Sequence, residues 1–127
     1  MDGLYAHMHL VDANVILRYL VGDGGEQAQQ AKTIIEGGNA YTYPEVLAEV
    51  VYVLSGVYGI SRQDICTAFR VLANHMSLFD LKMLLGAFNY YELSSMDFVD
   101  CILASRNLVL NEGVVTFDKQ LKHYISC

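Results

Sequence analysis

The chain of 127 residues carries eight basic and fourteen acidic residues, a formal net charge of −6, which argues against a broad cationic face of the kind that grips duplex DNA by its phosphates. A hydrophobic share of 54% with a single proline is too apolar for a disordered chain, and the length suits one compact core, so one domain over residues 1–127 is expected. The longest apolar stretches, such as residues 46–54, are interrupted by Glu49 and fall short of the ~20 residues a bilayer needs, and no signal-peptide pattern opens the chain, so a cytoplasmic protein is expected.

In chain order, His9-Leu10-Val11 reads as a short buried strand ending at Asp12, and residues 14–21 as a helix. After a glycine turn at 22–25, residues 26–36 hold strong helix formers with Ala28, Ala31, Ile34 and Ile35 on one side, and the pair Gly37-Gly38 stops them. Residues 40–43 read as a second strand. Pro44 suits the first turn of a helix, which Val46, Leu47, Val50, Val51, Val53 and Leu54 carry to about Ser55. Ser61 caps a further helix over residues 62–74, with Asp64 in its first turn.

Residues 77–81 are open between strand and loop, and Asp80 is a candidate cap for a helix over 81–92. The stretch Ser94-Ser95-Met96-Asp97 leads into a helix over 98–107, with Val99, Ile102, Leu103 and Leu110 expected near its buried side. Gly113-Val114-Val115-Thr116-Phe117 reads as a buried β-branched strand, and residues 118–125 as a closing helix or turn. Short apolar strands alternating with longer helices imply an α/β fold with a parallel sheet. Cys66, Cys101 and Cys127 are widely spaced and form no C-x-x-C pair, so they are read as ordinary thiols.

Two of these strands end at an aspartate, Asp12 and Asp118, and open α/β sheets bind ligands beyond the carboxyl ends of their strands. If the first and last strands are parallel neighbours, the two aspartates meet at one edge. Glu49 and Asp100 each interrupt an apolar helical run, where a carboxylate is costly unless it is paired or bound to metal. Taken singly, each acid has an ordinary explanation: a solvated helix face for Glu49, a helix cap for Asp12, and a cap for Asp97 with Asp100 three residues on. Jointly they match what Mg²⁺ or Mn²⁺ requires, a few oxygen ligands in a cleft that leave room for water.

The stretches Val11-Asp12-Ala13-Asn14-Val15-Ile16-Leu17, Pro44-Glu45-Val46-Leu47-Ala48-Glu49-Val50-Val51-Tyr52-Val53-Leu54, Asp97-Phe98-Val99-Asp100-Cys101-Ile102-Leu103-Ala104 and Val115-Thr116-Phe117-Asp118 together resemble the PIN-domain ribonucleases, particularly the VapC-type toxins of prokaryotic toxin–antitoxin pairs. The resemblance covers almost the whole chain. It implies a three-layer α/β/α sandwich with a short central parallel sheet, and an acidic site of Asp12, Glu49, Asp100 and Asp118 holding Mg²⁺ or Mn²⁺ directly or through water. It implies positions for Asn14 and Thr116 that orient the carboxylates and the attacking water, with Asp97 ranked below the four.

Arg18, Arg106, Lys119 and Lys122 are candidate RNA contacts, each equally readable as a solvated surface charge. The resemblance further implies metal-assisted hydrolysis of an RNA substrate, a homodimer, and a small antitoxin protein as partner. The competing reading is a PIN-like RNA- or protein-binding module with a weak or unused metal site. A receiver-like phosphate-handling domain is disfavoured, because no adjacent acidic pair follows the first strand.

Overall fold

The computed structural model describes residues 7–125, which contain seven helices and a three-stranded parallel sheet. The chain divides into two compact units, residues 1–79 and 80–127.

The first unit holds the whole sheet. Strand β1 (His9–Leu10) runs through helices α1 (Ala13–Val21) and α2 (Glu26–Glu36) to β2 (Ala40–Thr42), and β2 runs through α3 (Pro44–Gly56) and α4 (Arg62–Ala73) to β3 (Ser77–Leu78). All pairings are parallel in the order β1-β2-β3, with His9 opposite Ala40, Leu10 opposite Tyr41, and Thr42 opposite Leu78. Val11, Ala40, Thr42 and Leu78 are buried, and with them Ile16, Ile35, Leu47, Val50, Val51, Leu54, Ile65, Phe69 and Leu72 of the four helices. Each valine, leucine, isoleucine or phenylalanine side chain so withdrawn from water contributes roughly 1.5–3 kcal/mol before the cost of ordering it. On α2 the apolar side is narrower than its composition suggests: Ala31 and Ile35 are buried, while Ile34 is exposed. Gly38, at φ +88°, takes the left-handed conformation that ends α2 and frees the chain to enter β2.

The second unit is built on α5 (Leu81–Leu93) and α6 (Phe98–Leu110), followed by the short α7 (Lys119–Tyr124). Gly86 lets the two long helices approach, because a Cβ there would collide with the hydroxyl of Ser105, which donates to the Met83 carbonyl at 2.6 Å. Phe88, Tyr91 and Phe98 fill the space beside this contact, with ring centroids 4.6 Å apart for Phe88 and Phe98 and 5.8 Å for Tyr91 and Phe98. Cys66 of the first unit and Cys101 of the second are buried, the Cys101 thiol donating to the Met96 carbonyl at 3.8 Å, and Cys127 lies outside the described residues.

Four expectations are corrected here. Residues 113–117 form no strand: Val115 and Phe117 are each 95% exposed. The second unit has no strand among its described residues to pair with, and β propensity without a neighbouring edge does not make a ladder. The neighbour of β1 is β2, so no pairing of first and last strands brings Asp12 to Asp118. On α6 the buried side chains are Phe98, Cys101, Ala104, Ser105 and Asn107, whereas Val99 and Leu110 are exposed; the helix turns its smaller residues to α5, as the close contact at Gly86 demands. Asp80 is in the left-handed region at φ 54° and its side chain makes no cap hydrogen bond, so it serves α5 as a turn residue only.

Candidate functional site

Asp12 lies where β1 passes into α1. The chain is held there by the Val11 N–H donating to the Tyr41 carbonyl at 3.0 Å and by the buried Thr42 hydroxyl donating to the Val11 carbonyl at 3.0 Å. Oδ1 of Asp12 accepts the Val15 N–H at 3.0 Å, capping α1. A capping carboxylate uses one oxygen, and among the described residues Oδ2 has no hydrogen-bond partner. Glu49 is on the exposed side of α3, opposite the buried Leu47, Val50, Val51 and Leu54. It therefore carries none of the burial cost that its apolar neighbours suggest, because sequence neighbours on a helix do not share a face.

Asp97, Asp100 and Asp118 belong to the second unit. Asp97 and Asp118 are exposed and Asp100 is half-buried in the first turn of α6. The Asp100 carboxyl is held above its ordinary range, first by burial and then by the negative charges of Asp118 and Asp97. The structure thus brings Asp118 and Asp97 within electrostatic reach of Asp100. Asp97 precedes α6 in the cap position, yet its side chain makes no cap hydrogen bond, so the capping account of this residue does not hold. Asp118 is the working cap, its Oδ1 accepting the Leu121 N–H at 2.8 Å. The Thr116 hydroxyl accepts the Asp118 N–H at 3.0 Å and so fixes the turn that presents this aspartate.

A hydrated divalent ion needs one or two direct carboxylates and keeps several of its waters, and a pair of aspartates that already repel each other suits it. Among the described residues no group of three or more His, Cys, Asp or Glu side chains stands close enough together to hold a metal ion.

The family profile described as PIN domain matches residues 9–125. The chain belongs to the PIN-domain family. PIN domains are typically nucleases, and such nucleases generally use divalent metal ions. No curated protein and no solved structure gives a significant match. Among the described residues of this PIN-domain chain, no helix is long and apolar enough to cross a membrane.

The remaining sequence candidates are scattered. Asn14 is exposed and, with Arg18 and Tyr58, lines a surface hollow of about 270 Å³. Arg18 also lines a second hollow, of about 430 Å³, with Lys32 and Tyr19. The Tyr19 hydroxyl donates to Glu36 at 2.7 Å; burial and this acceptor push its pKa up to about 12. Lys119 and Lys122 are exposed on α7. Arg106 is taken up by an ion pair with Glu112, its second guanidinium nitrogen lying 3.1 Å from Oε1, so any RNA contact would have to open that pair.

Sequence reasoning did not single out Tyr43 or Phe79, whose rings stack at 4.7 Å and 17° just past β2 and β3. The signal was a large aromatic at position 43, directly before Pro44. This is the N-cap of α3, where Ser, Thr, Asp and Asn are favoured.

Proposed function

We propose that this PIN-domain protein is an endoribonuclease that hydrolyses RNA phosphodiester bonds with Mg²⁺ or Mn²⁺, and that it is the toxin of a VapC-like toxin–antitoxin pair. The nuclease reading is supported first by the family, one of metal-using nucleases, and then by Asp100, whose carboxyl is raised by burial and by the negative charges of Asp118 and Asp97. The bound ion would supply Lewis acidity toward a phosphoryl oxygen and a water that ionises near neutral pH.

Asp12, Glu49, Asp100 and Asp118 are the carboxylates assigned to hold it. Asp12 and Asp118 each keep Oδ1 on a helix N-terminus, which steadies the carboxylate and leaves Oδ2 for a ligand. Thr116 positions Asp118 through its backbone, and Asn14, two residues past Asp12 on α1, is assigned to the attacking water. Arg18, Lys119 and Lys122 are the cations left to meet RNA phosphates.

Purified protein with Mn²⁺ or Mg²⁺ is expected to cleave RNA, and chelation to stop it. Asp12→Asn and Asp118→Asn are expected to lower the rate about 10²- to 10³-fold, the scale of removing one group that stabilises transition-state charge. Both variants should fold, because asparagine caps a helix as well as aspartate does. Activity equal in variant and parent would trace the cleavage to a contaminant and leave the binding-module reading standing. The toxin assignment rests on the resemblance of the four motifs and brings with it a homodimer and an antitoxin. Growth arrest on expression, relieved by the product of an adjoining gene, is its test, and indifferent growth counts against it.

A further inference from the structure

The parallel register continues beyond the ends of the strands. Leu10 pairs with Tyr41 and Tyr41 with Ser77, and the next residues are tied by the Val11 N–H to the Tyr41 carbonyl and the Phe79 N–H to the Thr42 carbonyl at 3.1 Å. The row of Val11, Thr42 and Leu78 is buried. Because side chains alternate along a strand, the row after it, Asp12, Tyr43 and Phe79, belongs to the opposite face, together with Leu10 and Tyr41.

That face carries an aromatic group at the carboxyl edge of the sheet. Tyr43 stacks on Phe79, and Tyr41 meets both edge-on, with centroids 5.9 Å from Tyr43 and 5.7 Å from Phe79. Tyr43 is the most exposed of the three, at 37%. It occupies the N-cap of α3 without capping it, in extended backbone (φ −112°, ψ 160°) that Pro44 enforces. The helix start is thus made without the small polar residue that would satisfy it, and what stands there is a ring on a rigid backbone. Register puts the Tyr43 backbone beside that of Asp12, one strand spacing away, about 4.8 Å.

We propose that Tyr43, backed by Phe79 and braced by Tyr41, is a seat on which a base of single-stranded RNA stacks, next to the phosphate handled at Asp12. The assignment rests on the nuclease reading and names how the substrate is held. With eight basic residues against fourteen acidic, phosphate contacts have few cations to draw on, whereas stacking on an aromatic ring needs no positive charge and accepts any base. Bases of a duplex are closed to such a ring, so the seat selects unpaired RNA. It also makes Tyr43 a binding residue, felt in KM before kcat.

The test is fluorescence anisotropy of a labelled single-stranded RNA octamer, measured in EDTA so that binding is read without cleavage. Tyr43→Ala is expected to weaken binding roughly 5- to 150-fold, the range that loss of one base–aromatic stack corresponds to. Tyr43→Phe should bind as the parent does. Tyr43→Leu, which keeps apolar bulk against Phe79 without a π face, should behave like Tyr43→Ala, and circular dichroism should show all three folded. Equal affinity of Tyr43→Ala and parent, equal affinity of Tyr43→Leu and Tyr43→Phe, or a parent that does not bind the octamer would each overturn the proposal. Cleavage with Mn²⁺ that is indifferent to Tyr43 sinks the seat and leaves the nuclease. Tyr43-dependent binding without metal-dependent cleavage sinks the nuclease and leaves the seat.

Discussion

Asp12 follows a strand hydrogen-bonded into a sheet, whereas Asp118 follows a stretch, residues 111–117, that belongs to no helix or strand. Each nevertheless caps a helix through Oδ1, to Val15 in one case and Leu121 in the other. Capping needs only the three residues that follow, so it forms on either foundation. The rest of the support differs. Before Asp12, the chain is held by β2 and by the buried Thr42 hydroxyl; before Asp118, by the Thr116 hydroxyl and, farther back, by the bonds of Glu112 to Arg106 and Asn107. What anchors the acids of the second unit lies elsewhere, in the α5–α6 pair that carries Asp100. One unit presents its aspartate from a sheet edge, the other from a helix pair.

The comparison can be broken at those supports. Gly86→Ala places a methyl group against Ser105 at the closest approach of α5 and α6, and is expected to cost about 1–3 kcal/mol in denaturant unfolding, as overpacking does. A neutral result would mean that the two helices are not held at this contact. Thr42→Val removes the buried hydrogen bond behind Asp12 while keeping shape, and should cost about 0.5–1.5 kcal/mol. If the loss is no greater than for an exposed threonine such as Thr33, the sheet edge does not depend on that hydroxyl.

Asp100→Asn sharpens the contrast in the other direction. Its carboxyl is raised above the ordinary 3.8, so in the metal-free protein ionisation disfavours the native state. Below pH ~4 the parent and the variant should be equally stable. As pH rises through the unfolded value and then the folded one, the parent loses ground and Asn does not. At neutral pH the variant should be the more stable, by a small margin because water screens a partly exposed group. A variant less stable than the parent at pH 7 in EDTA would show that the acids do not repel.

The smallest effect is expected from Val115→Thr with Phe117→Ser. Both side chains are exposed, so the double change should stay within about 0.5 kcal/mol. A loss comparable to that of Gly86→Ala would mean that this segment is covered in solution and that the contrast drawn between the two aspartates fails.

The helices were legible because their signals are local. Pro44 at the start of α3, Ser61 accepting the Asp64 N–H at 3.1 Å, and the glycines that end α2 act within four residues, and the helices begin and end at or close to the expected places. The apolar spacing of α3 also marked its buried side, through Leu47, Val50, Val51 and Leu54. The capping of α1 by Asp12, an open alternative in the sequence, is likewise a local event.

What the sequence alone did not decide depends on what each segment meets. Ala40-Tyr41-Thr42 and Val114-Val115-Thr116-Phe117 look alike as strings, yet the first is a strand between two neighbours and the second is exposed, because a strand exists only where an edge accepts its hydrogen bonds. Glu49 and Asp100 both interrupt apolar runs, yet one faces solvent and the other is half-buried among like charges, since helix rotation is set by the packing partner. The sequence by itself determined the helix boundaries, to within a few residues, and the parallel α/β class, carried by residues close together in the chain. Only the tertiary structure decided which acids feel each other, which oxygen is spent on a cap, and that Tyr43 stacks on Phe79, because these depend on side chains that the chain order keeps far apart.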